Sequence, residues 1–212
     1  MAKVNVYVDG FNLYFGAVKD HPEFKWLDLS ALASRLLKSG DTINRIRYFT
    51  ARIDSRGDPR APQRQETYLR ALHTIPDLSI EYGQFKTRVK HQRLVNPRQG
   101  DPKRVEVYVT EEKGSDVNLA TFLLWDAFRQ DGSVSLVISG DTDLVRPIEL
   151  VVTELGRRVG VVNGTLNAAP THDLQRVASW VKRLRIGALR DSQFPETVAD
   201  EDGEFRRPAA WS

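Results

Sequence analysis

The sequence predicts an α/β fold around a mainly parallel sheet, and three observations carry that prediction. Short apolar runs rich in β-branched residues alternate with stretches of helical periodicity, in the rhythm strand, helix, strand, helix. Two of those runs, at 3–8 and 134–138, break off into Asp9-Gly10 and into Ser139-Gly140-Asp141, so acids follow strand ends. In open parallel sheets ligands gather beyond the carboxyl ends of strands. Third, 212 residues with 41% hydrophobic and 28% charged content suit one sizeable core with at most an appendage.

Taken in order, Lys3–Val8 reads as the first strand, and a helix opening near Phe11 would bring Asp9 and Asn12 to its N-terminus, within reach of one ligand. The competing explanation is an Asp-Gly turn with a local cap. Asp28 is a natural N-cap for a helix whose Leu29, Leu32, Ala33, Leu36 and Leu37 share a face, with Gly40 as its stop. Ile43–Thr50 and Leu78–Phe85 read as strands, and Arg64–Ile75 between them has helical spacing. Val105–Thr110 alternates and can pair with 84–90 as a hairpin. Val117–Phe128 is apolar on most sides and should be a deeply packed helix, with Asp116 at its mouth. After the strand at 134–138, Asp141 and Asp143 either cap the next helix or form a site. Pro147 suggests that the regular helix begins later, over Ile148–Leu155, stopped by Gly156. Arg158–Val162 is a last short strand, and Asp173–Lys182 is expected to be helical. The division expected is a domain over 1–186 and a tail over 187–212.

Residues 86–104 change character. Lys86, Arg88, Lys90, Arg93, Arg98, Lys103 and Arg104 face a single acid, Asp101. Such a run is either solvated surface or a grip on a polyanion, because Lys and Arg displace the counterions condensed on a nucleic-acid backbone. Composition excludes other chemistry. With no cysteine there is no disulfide, thiolate metal site or cysteine nucleophile. The four histidines have no ligand spacing. No leader or membrane-spanning run stands out, so a cytoplasmic protein is expected by default.

Assembled, Asp9-Gly-Phe-Asn12, Lys113-Gly-Ser-Asp116 and Ser139-Gly-Asp-Thr-Asp143 make the sequence resemble the NYN domain family, relatives of PIN-domain nucleases. The match runs from residue 3 to about 163 and continues into Gly160-Val-Val-Asn-Gly164. The resemblance implies a PIN-like three-layer αβα sandwich, a divalent metal held by acids, and hydrolysis of RNA. By that match Asp9, Asp116, Asp141 and Asp143 form the acidic, metal-binding cluster, with Asn12 beside it. Many relatives carry a further Asp six residues after the one matching Asp116, where this chain has Phe122. Asp126, one turn on, substitutes only if the helix rotates it inward. Independently of the family, clustered carboxylates repel and call for a cation, and hard oxygen ligands suit Mg²⁺ or Mn²⁺.

The expectation is therefore a metal-dependent endoribonuclease. Asp9, Asn12, Asp116, Asp141 and Asp143 would be catalytic, with Asn12 and Ser139 orienting water or phosphate. Lys86, Arg88, Lys90, Arg93 and Arg98 would form a positive wall beside the acids and grip RNA, with Arg52, Arg56 and Arg60 as the alternative grip. Lys113 and Asp126 complete the candidate set. One rival is a non-catalytic RNA-binding module that keeps the acids as caps. The other is a hydroxylase of small aromatics on the same scaffold, against which stand the missing GxGxxG fingerprint and the missing two-His-one-carboxylate set. The sequence leaves the oligomeric state open, a homodimer included.

Overall fold

The computed structural model describes residues 1–55 and 57–211. Its strands are β1 (Lys3–Asp9), β2 (Thr42–Thr50), β3 (Leu78–Tyr82), a hairpin of β4 (Gln84–Arg93) and β5 (Arg104–Lys113), then β6 (Val134–Ile138), β7 (Arg158–Leu166), β8 (Trp180–Leu184), and a terminal pair β9 (Thr197–Asp200) and β10 (Gly203–Arg206). The helices are α1 (Gly10–Leu13), which continues as a π turn over Tyr14–Val18, then α2 (Leu29–Leu36), α3 (Ala61–His73), α4 (Ser115–Phe128), α5 (Val145–Thr153), α6 (His172–Val177) and α7 (Ile186–Arg190). Six strands form one parallel sheet in the order β3-β2-β1-β6-β7-β8.

The pleat sorts the core into two layers, because successive side chains point to opposite faces. Val4, Val6, Val8, Leu136 and Ile138 pack with Leu29, Leu32 and Leu36 of α2, Leu69 and Leu72 of α3, and Leu189 of α7. Tyr7, Val137, Val159 and Val161 pack with Leu119 and Leu123 of α4, Ile148 and Val151 of α5, and Leu174 of α6. The result is the αβα sandwich of a PIN-like α/β fold. Running outward from β1, the chain adds β2 and β3 on one side and β6, β7 and β8 on the other. The crevice between β1 and β6, at their carboxyl ends, is therefore the switch point where such sheets hold ligands.

Several boundaries differ from expectation for local reasons. Asp28 does cap α2, accepting from the backbone N–H groups of Ser30 (2.8 Å) and Ala31 (3.0 Å). The helix after β6 starts at Val145 rather than Ile148, because Pro147 falls in its first turn, where no intrahelical donor is lost. Asp173–Lys182 is not one helix: α6 ends at Val177, and β8 becomes the edge strand beside β7. Alternation in Trp180–Leu184 was outweighed in the sequence by the preceding helical spacing. Residues 187–212, expected as a tail, carry all but the first residue of α7 and the β9–β10 hairpin, and Phe194, Phe205 and Trp211 gather around the buried Trp26. No helix among the described residues is long and apolar enough to cross a membrane.

Candidate metal centre

Strand parity decides which acids meet. Asp9 has the parity of Tyr7 and Ser139 that of Val137, so both project toward the α4 layer. Val8 pairs with Ile138, which sets Asp9 and Ser139 side by side on neighbouring strands. The buried Ser139 hydroxyl donates to Asp9 Oδ2 at 2.8 Å and accepts from the Asp141 N–H at 3.1 Å. Asp9 Oδ1 accepts from the Asn12 N–H at 3.0 Å, and Asn12 Oδ1 accepts from the Gly140 N–H at 2.9 Å. A Cβ on Gly164 would lie 2.3 Å from that same Asn12 oxygen, so glycine there lets β7 close on the corner. Asp116 arrives from α4, whose N-terminus is set by Gly114 at a φ of 108°, a left-handed turn suited to glycine. One oxygen from each of Asp9, Asp116 and Asp141 lies within 4.8 Å of the others.

Among the described residues, no cationic side chain compensates the site's charges. Burial pushes the Asp9 carboxyl above its ordinary value, and its bonds to Asn12 and Ser139 only partly oppose this. Asp116 is pushed up to about 6, by burial first and then by the charges of Asp9, Asp141, Glu112 and Asp143. Three convergent carboxylate oxygens with no cationic side chain lining the cleft among the described residues are the donor set that a hard divalent cation fits.

Asp143 does not join the three. Its N–H donates to Asp141 Oδ1 at 3.0 Å, so Asp141 caps the turn over Thr142–Leu144, and the Asp143 side chain is exposed nearby. Capping and site thus describe the same residue. Ser139 holds Asp9 rather than facing phosphate, and the Asn12 oxygen latches the Gly140 loop. Asp126 is corrected outright. It is buried against Arg47, accepting from Nε at 2.9 Å and Nη2 at 3.1 Å, and from the Tyr7 hydroxyl at 3.0 Å. Phe122 lies under that guanidinium, 4.1 Å from ring centre to Cζ, so the position of the relatives' extra Asp serves packing here. Lys113 is exposed, 3.4 Å from Glu111.

The basic wall is also displaced. The hairpin turns Phe85, Thr110 and Glu112 toward the acids. Period-two alternation puts Lys86, Arg88 and Lys90 on its opposite face, with Lys90 paired to Glu111 at 2.7 Å. Arg93 ends β4, and Arg98 is exposed in the loop beyond. Of the alternative grip, Arg52 is paired with Glu66, Arg60 is exposed at the start of α3, and Arg56 lies outside the described residues.

Sequence reasoning missed Glu112, Phe11 and Phe15. Glu112 lines the cleft and accepts from the Ser115 hydroxyl at 2.9 Å, and its Glu-Lys-Gly-Ser-Asp context was the available signal. Phe11 and Phe15 flank the cleft at helical spacing directly after Asp9, a spacing that reads equally well as core.

The chain is similar to known proteins along its whole length. It is 28% identical to the "6-hydroxy-3-succinoylpyridine 3-monooxygenase" of Pseudomonas putida, over 99% of this chain and 75% of that one. A crystal structure of a protein of unknown function from Vibrio parahaemolyticus shares the fold, with a TM-score of 0.54 at 15% identity over 96% of each chain. Residues 3–181 match the model of the NYN domain, spanning every acid of the cleft. By its sheet, its carboxyl-end acids and that match, the chain belongs to the NYN domain family.

Proposed function

We propose that the protein is a metal-dependent ribonuclease that hydrolyses RNA phosphodiesters at the cleft between β1 and β6. The observation that carries this reading is the convergence of Asp9, Asp116 and Asp141 on one point, with no cationic side chain lining the cleft among the described residues. Asp9, Asp116 and Asp141 would hold Mg²⁺ or Mn²⁺, directly or through water. When bound, such an ion supplies water activation and neutralises charge on the phosphate. The protein's residues supply the rest. Ser139 fixes the Asp9 carboxylate by hydrogen bond, Asn12 fixes the loop that bears Asp141, and Asp143 adds negative potential that strengthens cation binding. The basic face of the β4–β5 hairpin, with Lys86, Arg88 and Lys90, and Arg93 at the end of β4, would hold the strand beyond the cleft, since acids alone repel a polyanion.

A second reading, chemistry on a small aromatic ring, has one specific observation behind it. The monooxygenase relative covers nearly the whole chain, and an aromatic-lined cavity adjoins the acids. One experiment separates the two, and also the non-catalytic binding module. Purified wild type and Asp141→Asn are incubated with mixed RNAs, with Mn²⁺ and with chelator. The nuclease reading expects cleavage only by wild type with metal. RNA left intact in every arm removes it.

A further inference from the structure

We propose that the aromatic-lined cavity beside the acidic cleft receives one unstacked nucleobase, adjacent to the phosphate engaged at the acids. This rests on the ribonuclease reading and specifies its substrate as a strand whose base is splayed out next to the scissile bond. The cavity measures about 230 Å³, and Phe11, Tyr14, Phe15, Tyr68, Phe85 and Trp211 are among its aromatic lining. Phe11, Phe15 and Phe85 line the acidic cleft as well, so the two spaces share an aromatic partition. A ring in one and a phosphate in the other are then separated by little more than a side chain, the separation within a single nucleotide.

Size and charge narrow the occupant. Pockets that enclose whole drug-sized ligands run from roughly 300 Å³ upward, so this one suits a single ring system with the rest of its molecule outside. Its charged wall groups are cationic among the described residues, Lys25 and Arg64, whereas the neighbouring cleft is lined by acids. Lys25 stands 5.9 Å from the centre of the Tyr14 ring. Donors at the rim match the carbonyl oxygens and ring nitrogens of a base, which a plain hydrocarbon lacks. Phe15 is 62% exposed and Tyr14 39%, although both belong to the segment that folds directly after Asp9. Phe11 meets Phe85 edge to face at 5.5 Å and lies nearly parallel to Phe15 at 6.4 Å, an aromatic array that a further ring can extend. Bases stack on such platforms with little regard to sequence.

The test is calorimetric titration of the full chain in Mg²⁺ with uridine 5′-monophosphate, ribose 5-phosphate and free uracil. The nucleotide should bind about tenfold more tightly than the sugar phosphate, or better. Phe15→Ala, at an exposed position, should remove much of that advantage, and Phe15→Leu should do the same while keeping bulk. In parallel, an RNA with one abasic nucleotide beside its mapped cleavage site should be cut about tenfold more slowly. Equal binding of nucleotide and sugar phosphate overturns the proposal even if RNA is cleaved. Uracil binding as tightly as the nucleotide overturns it too, by making the cavity a site for free rings. A base-dependent advantage lost in both Phe15 variants, without RNA cleavage, upholds the ring site and removes the ribonuclease reading instead.

Discussion

Helix α4 carries an aspartate at each end, and their surroundings are opposite. Asp126 is buried, yet its charge is met by the Arg47 guanidinium and the Tyr7 hydroxyl, and Arg47 reaches on to Glu81 at 3.2 Å. Asp116 is more exposed over the whole residue, yet burial of its carboxyl and the facing charges of Asp9, Asp141, Glu112 and Asp143 raise it to about 6, with no cation opposite it among the described residues. One acid is neutralised by the fold. The other has only like charges facing it among the described residues. Two aspartates on one helix thus differ in counter-charge, which their residue type does not reveal.

The largest expected effect tests the uncompensated side. Asp141→Asn should lower metal-dependent cleavage by more than ~100-fold, beyond the cost of losing an outer-shell partner. Its melting temperature in chelator should hold or rise, because one repelling charge is gone. Asp141→Ala, which unlike Asn loses the capping oxygen, should cost ~1 kcal/mol, and a loss of cleavage confined to that variant would make capping the dominant role of Asp141.

Next comes the compensated side. Arg47→Met leaves Asp126 buried without its cation and should cost roughly 3–5 kcal/mol in denaturant unfolding. Combining it with Asp126→Leu should recover most of that loss, while activity per folded molecule stays near wild type. A single variant as stable as wild type would erase the contrast between the two acids.

A smaller effect comes from pH. Because the folded protein raises the Asp116 carboxyl from 3.8 to about 6, it binds that proton more tightly than the unfolded chain does. The contribution of Asp116 to metal-free stability should therefore be fully present below the unfolded value of 3.8 and be lost as pH rises through about 6. Thermal melts in chelator should show this slope, and Asp116→Asn or added Mn²⁺ should flatten it.

The smallest effect lies on the hairpin. Neutralising Arg88, Lys90 and Arg93 together should weaken RNA binding and reduce its salt slope by roughly 0.7 for each phosphate that is no longer gripped. Metal affinity should not change. An unchanged salt slope would assign that face to solvent.

Much of this was legible in the chain itself. Apolar periodicity placed the strands and most helices, because the burial pattern of a strand or helix is written in neighbouring residues. Asp9, Asp116 and Asp141 were legible because each sits where a strand ends or a helix begins. The aspartates at 126 and 143 show the limit, the first because its partner is distant in sequence and the second because a turn, not its residue type, sets where it points. Arg47 reaches Asp126 only because β2 lies beneath α4, and the Asp143 side chain stays outside because Asp141 takes its N–H to close a turn. The hairpin's faces were equally hidden, since a run of basic residues does not say which side of a pleat turns to the site. Local chemistry alone determined which residues could act. Tertiary structure decided which of them meet, because charge compensation and strand facing depend on neighbours supplied by distant parts of the chain.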